Sequence, residues 1–329
     1  MATKADTMKI VRIALICVFA TVFVVSAIML VNTLIDYRAA EKLYGAVHED
    51  FMNAINNTTG NADENTAKDV WTRGPEGADS TETQPSVPSD TTVSTPDGSS
   101  TTAPGGNDTV APTPGGNETT APPEPVDPVY SERFLNACKF INELKATNPD
   151  VIGYIYVEID KTDESKNISY PLVHGDDNAY YVDYAYDNSV LRAGSIFLDY
   201  RCRANLDKNR VSLIYGHNMT NGAMFHNLKY LKQREYFDNT TITIYTLDAI
   251  YTYQPFAIYN TVATANYSHI YFNSNDEYVS FLVEAQNKSI YSNDLEFYSS
   301  DRIITLSTCL NTSADARLAV HAVLVRKSQ

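Results

Sequence analysis

Residues 13–31 form the most apolar stretch of the chain, with no charged side chain in 19 positions. At about 1.5 Å per residue, a helix of this length crosses a hydrocarbon core of about 30 Å. Lys4, Lys9 and Arg12 precede the run, and such basic residues stay on the cytoplasmic side of a membrane. The pattern predicts a cytoplasmic tip and a single-pass anchor in residues 1–31, with the rest of the chain outside the cell.

A cleaved signal peptide is the alternative interpretation of the same run. The apolar core of a signal peptide usually spans about 7–15 residues and ends in small residues at a cleavage site. Here the run is longer and ends in Met29-Leu30-Val31-Asn32. This ending favours an anchor that the mature protein retains.

Residues 32–71 follow as a predicted juxtamembrane helical segment. Apolar side chains recur within residues 32–55 at the spacing of one helix face. They are Leu34, Tyr37, Leu43, Tyr44, Val47 and Phe51. We expect this helix to continue upward from the membrane.

Residues 72–129 contain no aromatic residue and no Ile, Leu or Met, yet they hold 11 of the 14 prolines. Residues 103–109 and 113–119 are near-repeats within this stretch. Such a segment buries too little apolar surface to offset the entropy lost on ordering. We therefore expect a disordered acidic linker, a stalk with a reach of roughly 40 Å.

Most of the negative charge lies in and around the same stretch. Residues 49–128 carry 14 acidic and 2 basic side chains, whereas the whole chain has a formal net charge of -15. The acidity therefore describes the linker and says little about the folded part. No basic patch of the size that binds nucleic acid is present in the sequence, and no nucleic-acid partner is expected.

Residues 130–329 alternate short β-type runs with turn-forming residues, which indicates a mainly β domain. Eight strands are predicted, at residues 151–157, 169–173, 194–199, 211–215, 241–246, 249–259, 302–308 and 317–326. Helices are predicted at residues 130–147, 222–231 and 275–286. Eight short strands with few long helices favour a closed barrel or a sandwich.

Three polar residues stand at the ends of predicted strands. His217 follows one strand, Cys309 follows another, and Arg317 begins the strand after Cys309. A thiol becomes a useful nucleophile beside a base or a cation, and an imidazole can accept its proton and later protonate a leaving amine. A guanidinium offers several fixed donors to an oxyanion. Each residue alone is more often packed or solvated, but together they indicate a cysteine enzyme.

The remaining cysteines show no CxxC spacing and no metal-ligand cluster. We therefore expect no metal and no cofactor. A disulfide between Cys138 and Cys202 fits the sequence, as do two free and partly buried thiols, which is the more usual state. His321 falls within a predicted strand, where we expect it to be packed or solvated.

At these residues the chain resembles the sortases, and specifically their class B. The sortase pattern Thr-Leu-x-Thr-Cys, followed by Arg after a short loop, is matched by residues 305–309 and Arg317. The class B form of the histidine motif is matched by residues 215–219. Further class B-like segments lie at residues 170–173, 177–181, 194–199, 224–225 and 317–324. The motifs come in family order between about residue 130 and residue 325.

The resemblance implies an eight-stranded sortase-type β-barrel with an N-terminal helix and a helix between strands six and seven. It implies a cysteine transpeptidase in which Cys309 is the nucleophile, His217 the acid and base, and Arg317 the anion-stabilising group. In this class, residues that match Asn178, Val182, Tyr215 and Ser307 line the substrate groove.

The resemblance also implies the partners. The substrate would be a surface protein with a C-terminal sorting signal, often of the form Asn-Pro-x-Thr, cleaved after Thr through a thioacyl-enzyme. The acceptor would be an amine of the peptidoglycan cross-bridge or of its lipid-linked precursor.

Two other functions remain open at the level of sequence. A sortase that polymerises pilins would use a lysine amine as the acceptor. A non-catalytic surface adhesin could use the 23 tyrosines for binding, but it would have no need for His217, Cys309 and Arg317 together.

Overall fold

The structure is a computed structural model that describes residues 4–56, 69–73, 130–310 and 312–329. Thr72 and Arg73 stand at its described edge, while the rest of the predicted stalk, residues 74–129, lies outside the described residues. The described parts belong to one compact unit.

The first element is one long helix, α1 (Lys4–Asn56), of 53 residues. Among the described residues it is the one helix that is long and apolar enough to cross a membrane. Side chains of the predicted anchor are exposed, whereas five side chains in the second half of the helix are buried. These are Ala40, Tyr44, Val47, Phe51 and Ile55. The same helix therefore carries an apolar span and an element of the folded core.

Nine strands follow along the chain. They are β1 (Asp69–Thr72), β2 (Val151–Glu158), β3 (Ile168–Val173), β4 (Ile196–Leu198), β5 (Val211–Tyr215), β6 (Thr241–Thr246), β7 (Ile250–Val262), β8 (Ile303–Cys309) and β9 (Ala316–Ser328). Strands β9, β7, β6, β2, β3, β4, β5 and β8 pair in that order, and β8 pairs again with β9. This last pairing closes the sheet, so the predicted eight-stranded barrel is confirmed.

Strand β1 was not predicted from the sequence. It pairs antiparallel with the end of β9, where Asp69 faces Ser328 and Thr72 faces Arg326. Arg73 follows and forms an ion pair with Asp301 at 2.8 Å, and the Asp301 side chain is only 3% exposed. The chain is thus attached to the barrel immediately before residues 74–129 begin.

Four further helices surround the barrel: α2 (Glu132–Thr147), α3 (Tyr180–Asp183), α4 (Arg234–Asn239) and α5 (Asn275–Lys288). The N-terminal helix α2 is capped by Ser131, whose hydroxyl accepts a hydrogen bond from the Phe134 amide. Helix α5 lies between β7 and β8, which are the sixth and seventh strands of the barrel. Both helical additions therefore stand where they were expected.

The helix predicted at residues 222–231 is replaced by a shorter element. Gly222 and Met224 both have positive φ, +94° and 59°, which an α-helix does not tolerate. A 3-10 helix then spans Phe225–Lys232 and leads into α4. The chain between His217 and this helix is therefore a loop.

The second half of α1 packs across the strands and not along them. Tyr44 contacts Tyr170 on β3, with ring centroids 5.0 Å apart. Phe51, two helical turns later, stacks on Tyr154 of β2 at 3.8 Å and meets Tyr245 of β6 edge-on at 5.1 Å. The helix therefore crosses the sheet from the β3 side to the β6 side.

Candidate active site

Parallel strands β5 and β8 carry His217 and Cys309 to the same edge of the barrel. Tyr215 pairs with Ser307 in this ladder, and each candidate residue follows two positions later, Cys309 as the last residue of β8 and His217 just beyond the end of β5. Neighbouring strands lie about 4.8 Å apart. The backbone therefore sets the histidine and the cysteine side by side where the two strands end.

Strand β9 brings Arg317 to the same place. Cys309 and Arg317 are direct partners in the antiparallel ladder between β8 and β9. The short loop between them closes with a hydrogen bond from the Leu310 amide to the Ala316 carbonyl at 2.9 Å. The Arg317 guanidinium donates to the carbonyls of Ala314 and Ala316 at 2.9 and 3.0 Å, which holds it at the rim of this edge.

The thiols differ sharply in their environment. Cys309 is exposed at the end of β8, whereas Cys202 is 5% exposed. Burial raises the pKa of Cys202 to about 11 and also raises the pKa of Cys138. All four cysteines lie within the described residues and have free thiols, so Cys138 and Cys202 are not joined. Outside the predicted anchor, Cys309 is the one exposed cysteine of the described chain, while Cys138 is half-buried and Cys202 is buried.

His217 is oriented by the main chain of α3. Its Nε2 lies 2.9 Å from the Val182 carbonyl, which can only accept, so Nε2 is the donor in this contact. In the neutral ring, Nδ1 is then the unprotonated nitrogen. Glycine suits the position just before it, because a Cβ on Gly216 would lie 2.8 Å from the ring of the buried Phe225.

Two of the four groove candidates meet at one buried carboxylate. Asn178 donates to Asp199 at 3.0 Å and the Tyr215 hydroxyl donates to it at 3.2 Å. Burial opposes ionisation of Asp199, but hydrogen bonds from Arg201 and Asn178 outweigh it, so the pKa of Asp199 is lowered. Asp199 is thus an ionised anchor for both side chains, and the sequence analysis did not single it out.

The other two candidates differ from each other. Val182 is half-buried and reaches the site through the carbonyl that contacts His217. Ser307 is 1% exposed, and its hydroxyl lies 3.0 Å from the Tyr267 hydroxyl in the interior. The structure therefore brings Val182 to the candidate catalytic residues but directs the side chain of Ser307 away from solvent.

A polar chain that the sequence analysis missed supports the backbone of Cys309. The Asn218 side-chain amide donates to the Cys309 carbonyl at 2.9 Å, and the Asn218 oxygen lies 2.7 Å from His226 Nδ1. Lys229 hydrogen-bonds to the other ring nitrogen of His226. Burial lowers the pKa of His226, and Lys229 lowers it further. The neutral ring therefore carries its proton on Nδ1 and donates to Asn218.

No group of three or more His, Cys, Asp or Glu side chains in the described parts of the chain is arranged to hold a metal ion. The chemistry available at this edge is that of an exposed thiol with an imidazole and a guanidinium nearby. Such a set can form and resolve an acyl intermediate.

Comparison with known proteins places this architecture among relatives. A family model described as the sortase domain matches residues 157–325. Sortase B of Listeria monocytogenes is 35% identical over 192 residues, which are 57% of this chain and 74% of that protein. Sortase B of Staphylococcus aureus is 31% identical over 189 residues, covering 56% and 74%. The crystal structure of sortase B from Bacillus anthracis superposes with a TM-score of 0.51 at 37% identity, covering 57% of this chain and 85% of that one.

Proposed function

We propose a substrate and an acceptor for this chain, which belongs to the sortase family and, within that family, to class B. As a sortase it is a cysteine transpeptidase, an enzyme that cleaves one peptide bond and forms another amide. The proposed substrate is a surface protein with an Asn-Pro-x-Thr-like sorting signal. The proposed acceptor is an amine of the peptidoglycan cross-bridge or its lipid-linked precursor.

The proposed mechanism divides the work among three side chains. The Cys309 thiolate attacks the threonine carbonyl, which forms a C–S bond, and His217 protonates the departing amine as the C–N bond breaks. The Arg317 guanidinium stabilises the oxyanion in this step. An acceptor amine then attacks the thioester and forms a new C–N bond, while its proton passes to His217 acting as the base and the breaking C–S bond releases the Cys309 thiolate. The observation that carries the proposal is the meeting of these residues at the ends of β5, β8 and β9, with Cys309 exposed.

The proposed groove is formed by the region of Asn178, Val182, Tyr215 and Ser307. Asn178 and Tyr215 share the buried Asp199 carboxylate, which would fix their positions before a peptide arrives. Val182 belongs to the same wall because its carbonyl orients His217. We propose that Ser307 contributes through its position on β8 beside Cys309, since its hydroxyl is engaged by Tyr267.

The proposed location is the cell membrane, with the cytoplasmic tip ahead of residues 13–31 and the catalytic barrel outside. The apolar first half of α1 and the basic Lys4, Lys9 and Arg12 support this orientation. Protease added to intact cells from which the wall has been removed should reach the barrel side of the chain. Protection of that side until the membrane is breached would contradict the orientation.

The catalytic assignment is tested with three substitutions in the full chain. Cys309→Ala should abolish acyl-enzyme formation, and His217→Ala should be nearly as severe. Arg317→Lys keeps the charge but loses the planar multi-donor geometry, and loss of one oxyanion donor typically lowers the rate by about 10²–10³-fold. Peptide turnover is measured beside a thermal melt, which should be little changed. Normal turnover by Cys309→Ala would overturn the assignment.

The same assay distinguishes the acceptors. Products formed with cell-wall amines and with a lysine-bearing pilin peptide are identified by mass. Transfer to lysine in preference to the wall amine would favour the pilin-polymerising alternative. The adhesin alternative is set aside because the chain belongs to an enzyme family.

A further inference from the structure

Helix α1 connects the apolar span directly to the active-site edge. Near the start of its docked half, the helix is joined to the barrel by a hydrogen bond of 2.8 Å between the hydroxyls of Tyr37 and Thr220. Thr220 belongs to the loop that follows His217. Two residues earlier in that loop, Asn218 donates to the Cys309 carbonyl. The end of the barrel nearest the span is therefore the end that carries the candidate catalytic residues.

The contacts along α1 give the direction of the barrel relative to the span. Beyond Tyr37, the Tyr44 hydroxyl donates to the Gly194 carbonyl, and Phe51 packs between β2 and β6. Phe51 lies 14 residues after Tyr37 in one unbroken helix, which is about 21 Å further along the axis. The β6 side of the barrel is thus the distant side.

The tether between the span and the active-site edge is short. Tyr37 is six residues beyond Val31, the last residue of the uncharged run, so it lies about 9 Å along the helix axis from the end of that run. A tilted helix would bring Tyr37 closer to the membrane surface, so this distance is an upper limit. The span, β1, α2 and the barrel all belong to the same compact unit, so residues 74–129, which join β1 to α2 along the chain, do not separate the span from the barrel.

From this geometry we propose that the loop of residues 218–222, and with it the edge that carries Cys309, lies at the headgroup surface of the bilayer. The partner of this surface is the membrane itself. The enzyme then acts on peptides at the membrane surface. It does not act on peptides held away from the surface by the roughly 40 Å that a stalk would span. The inference depends on the proposed membrane anchoring of α1.

The first test measures the orientation without using catalysis. Full chains with Cys17→Ser, Cys138→Ser and Cys309→Ala are labelled with a fluorophore at Asn221→Cys or at Leu247→Cys and reconstituted in liposomes. Asn221 is in the loop, and Leu247 is in the turn after β6 on the distant side. Energy transfer to an acceptor on the lipid headgroups should be much stronger from position 221. Equal transfer from both positions, or stronger transfer from 247, would overturn the proposal.

The second test changes the height of the barrel. Seven helix-forming residues inserted between Ile35 and Asp36 add about 10 Å and nearly two whole turns, so the helix keeps its face toward the barrel. The matched control carries the same seven residues between Gly105 and Gly106. Turnover of a free peptide and of the same peptide on a short tether to lipid headgroups is compared in liposomes.

The ratio of tethered to free turnover should fall several-fold for the insertion in α1 and stay unchanged for the control. An unchanged ratio in both proteins would contradict the proposal. If the unmodified chain turns over neither peptide, the proposed reaction is contradicted. The energy-transfer measurement would still decide the orientation of the barrel.

Discussion

Asn218 extends the ladder between β5 and β8 after the two strands have begun to separate. The last backbone contact is a hydrogen bond of 3.2 Å from the Gly216 amide to the Ser307 carbonyl. The next outward carbonyl on β8 is that of Cys309, and the Asn218 side chain supplies its donor. A side chain held by His226 therefore helps to position the backbone of Cys309, the candidate nucleophile.

We predict that Asn218→Asp lowers kcat more than it raises KM, because a carboxylate cannot donate to the Cys309 carbonyl and repels it. Asn227→Asp is the matched control, since Asn227 also donates to a carbonyl at 2.9 Å, but to that of Ser165. The control should lower the melting temperature and leave kcat near normal. Turnover kinetics and thermal melts of both variants check this. Equal loss of kcat in the two would mean that the Asn218 contact is merely structural.

His321 is buried in the barrel wall as a neutral ring. It is 0% exposed, and its two nitrogens lie 2.9 Å from the hydroxyls of Tyr259 and Thr305. Burial lowers the pKa of His321 to about 3, and Lys288 adds to the effect. The unfolded chain has a histidine pKa of about 6.5, so it binds more protons than the folded chain between about pH 3 and pH 6.5.

The free energy of unfolding should therefore fall as the pH falls through that window. His321 contributes at most about 1.4 kcal/mol per pH unit to this fall. His321→Gln lacks the titrating group, so the difference in melting temperature between wild type and variant should narrow between pH 7 and pH 5. His48 and His226 also have lowered pKa values. Both residues are present in wild type and variant, so their contributions cancel in the difference. A constant difference across this pH range would contradict the prediction.

At the scale of elements, the second half of α1 belongs to the core of the catalytic barrel. Phe51 is 0% exposed and touches aromatic rings of β2, β6 and α2. We predict that Phe51→Ala destabilises the barrel by about 3–5 kcal/mol. Leu34→Ala, on the exposed part of the same helix at 49% exposure, should have little effect. Chemical unfolding of both variants measures the difference, and similar stabilities would show that the helix is not part of the cooperative unit.

The strands and the helices α2 and α5 were predictable because their signals are local. The alternation of apolar and polar residues that predicts a strand, and the helical spacing that predicts a helix, lie within each element itself. The docking of α1 was not predictable, because its helical periodicity does not say what covers the apolar face. Strand β1 has only four residues and depends on the distant β9 for its partner.

In the candidate site, too, local sequence signals were predictable and contacts between distant residues were not. The three candidate catalytic residues, His217, Cys309 and Arg317, were singled out from the ends of strands and from their motifs. The side-chain contacts among Asp199, Asn178 and Tyr215, and the contact from Asn218 to Cys309, join residues that are far apart in the sequence. Met224 has a positive φ that apolar spacing cannot reveal, so the helix predicted from residue 222 begins only at Phe225, as a 3-10 helix.

At the scale of the whole molecule, residues 74–129 leave the barrel at Arg73 and return to it at Tyr130. We predict that replacing residues 76–127 by a flexible linker of roughly ten residues leaves the melting temperature and free-peptide turnover unchanged.

Arg73→Ala should instead lower the free energy of unfolding by about 3–5 kcal/mol, because it leaves the buried Asp301 carboxylate without its cationic partner. Thermal melts and unfolding curves check both. A loss of stability in the shortened chain would mean that the segment packs on the barrel.

The pairing of β1 with β9 also has a consequence for how the protein folds. The first strand along the chain cannot complete its hydrogen bonds until the last strand, which ends at Ser328, has been synthesised. Contacts at such large sequence separation slow folding. Strands β2 to β7 can pair before then, but the barrel closes only when β8 and β9 arrive together. The segment that carries Cys309, the proposed nucleophile, is therefore among the last to be held in place.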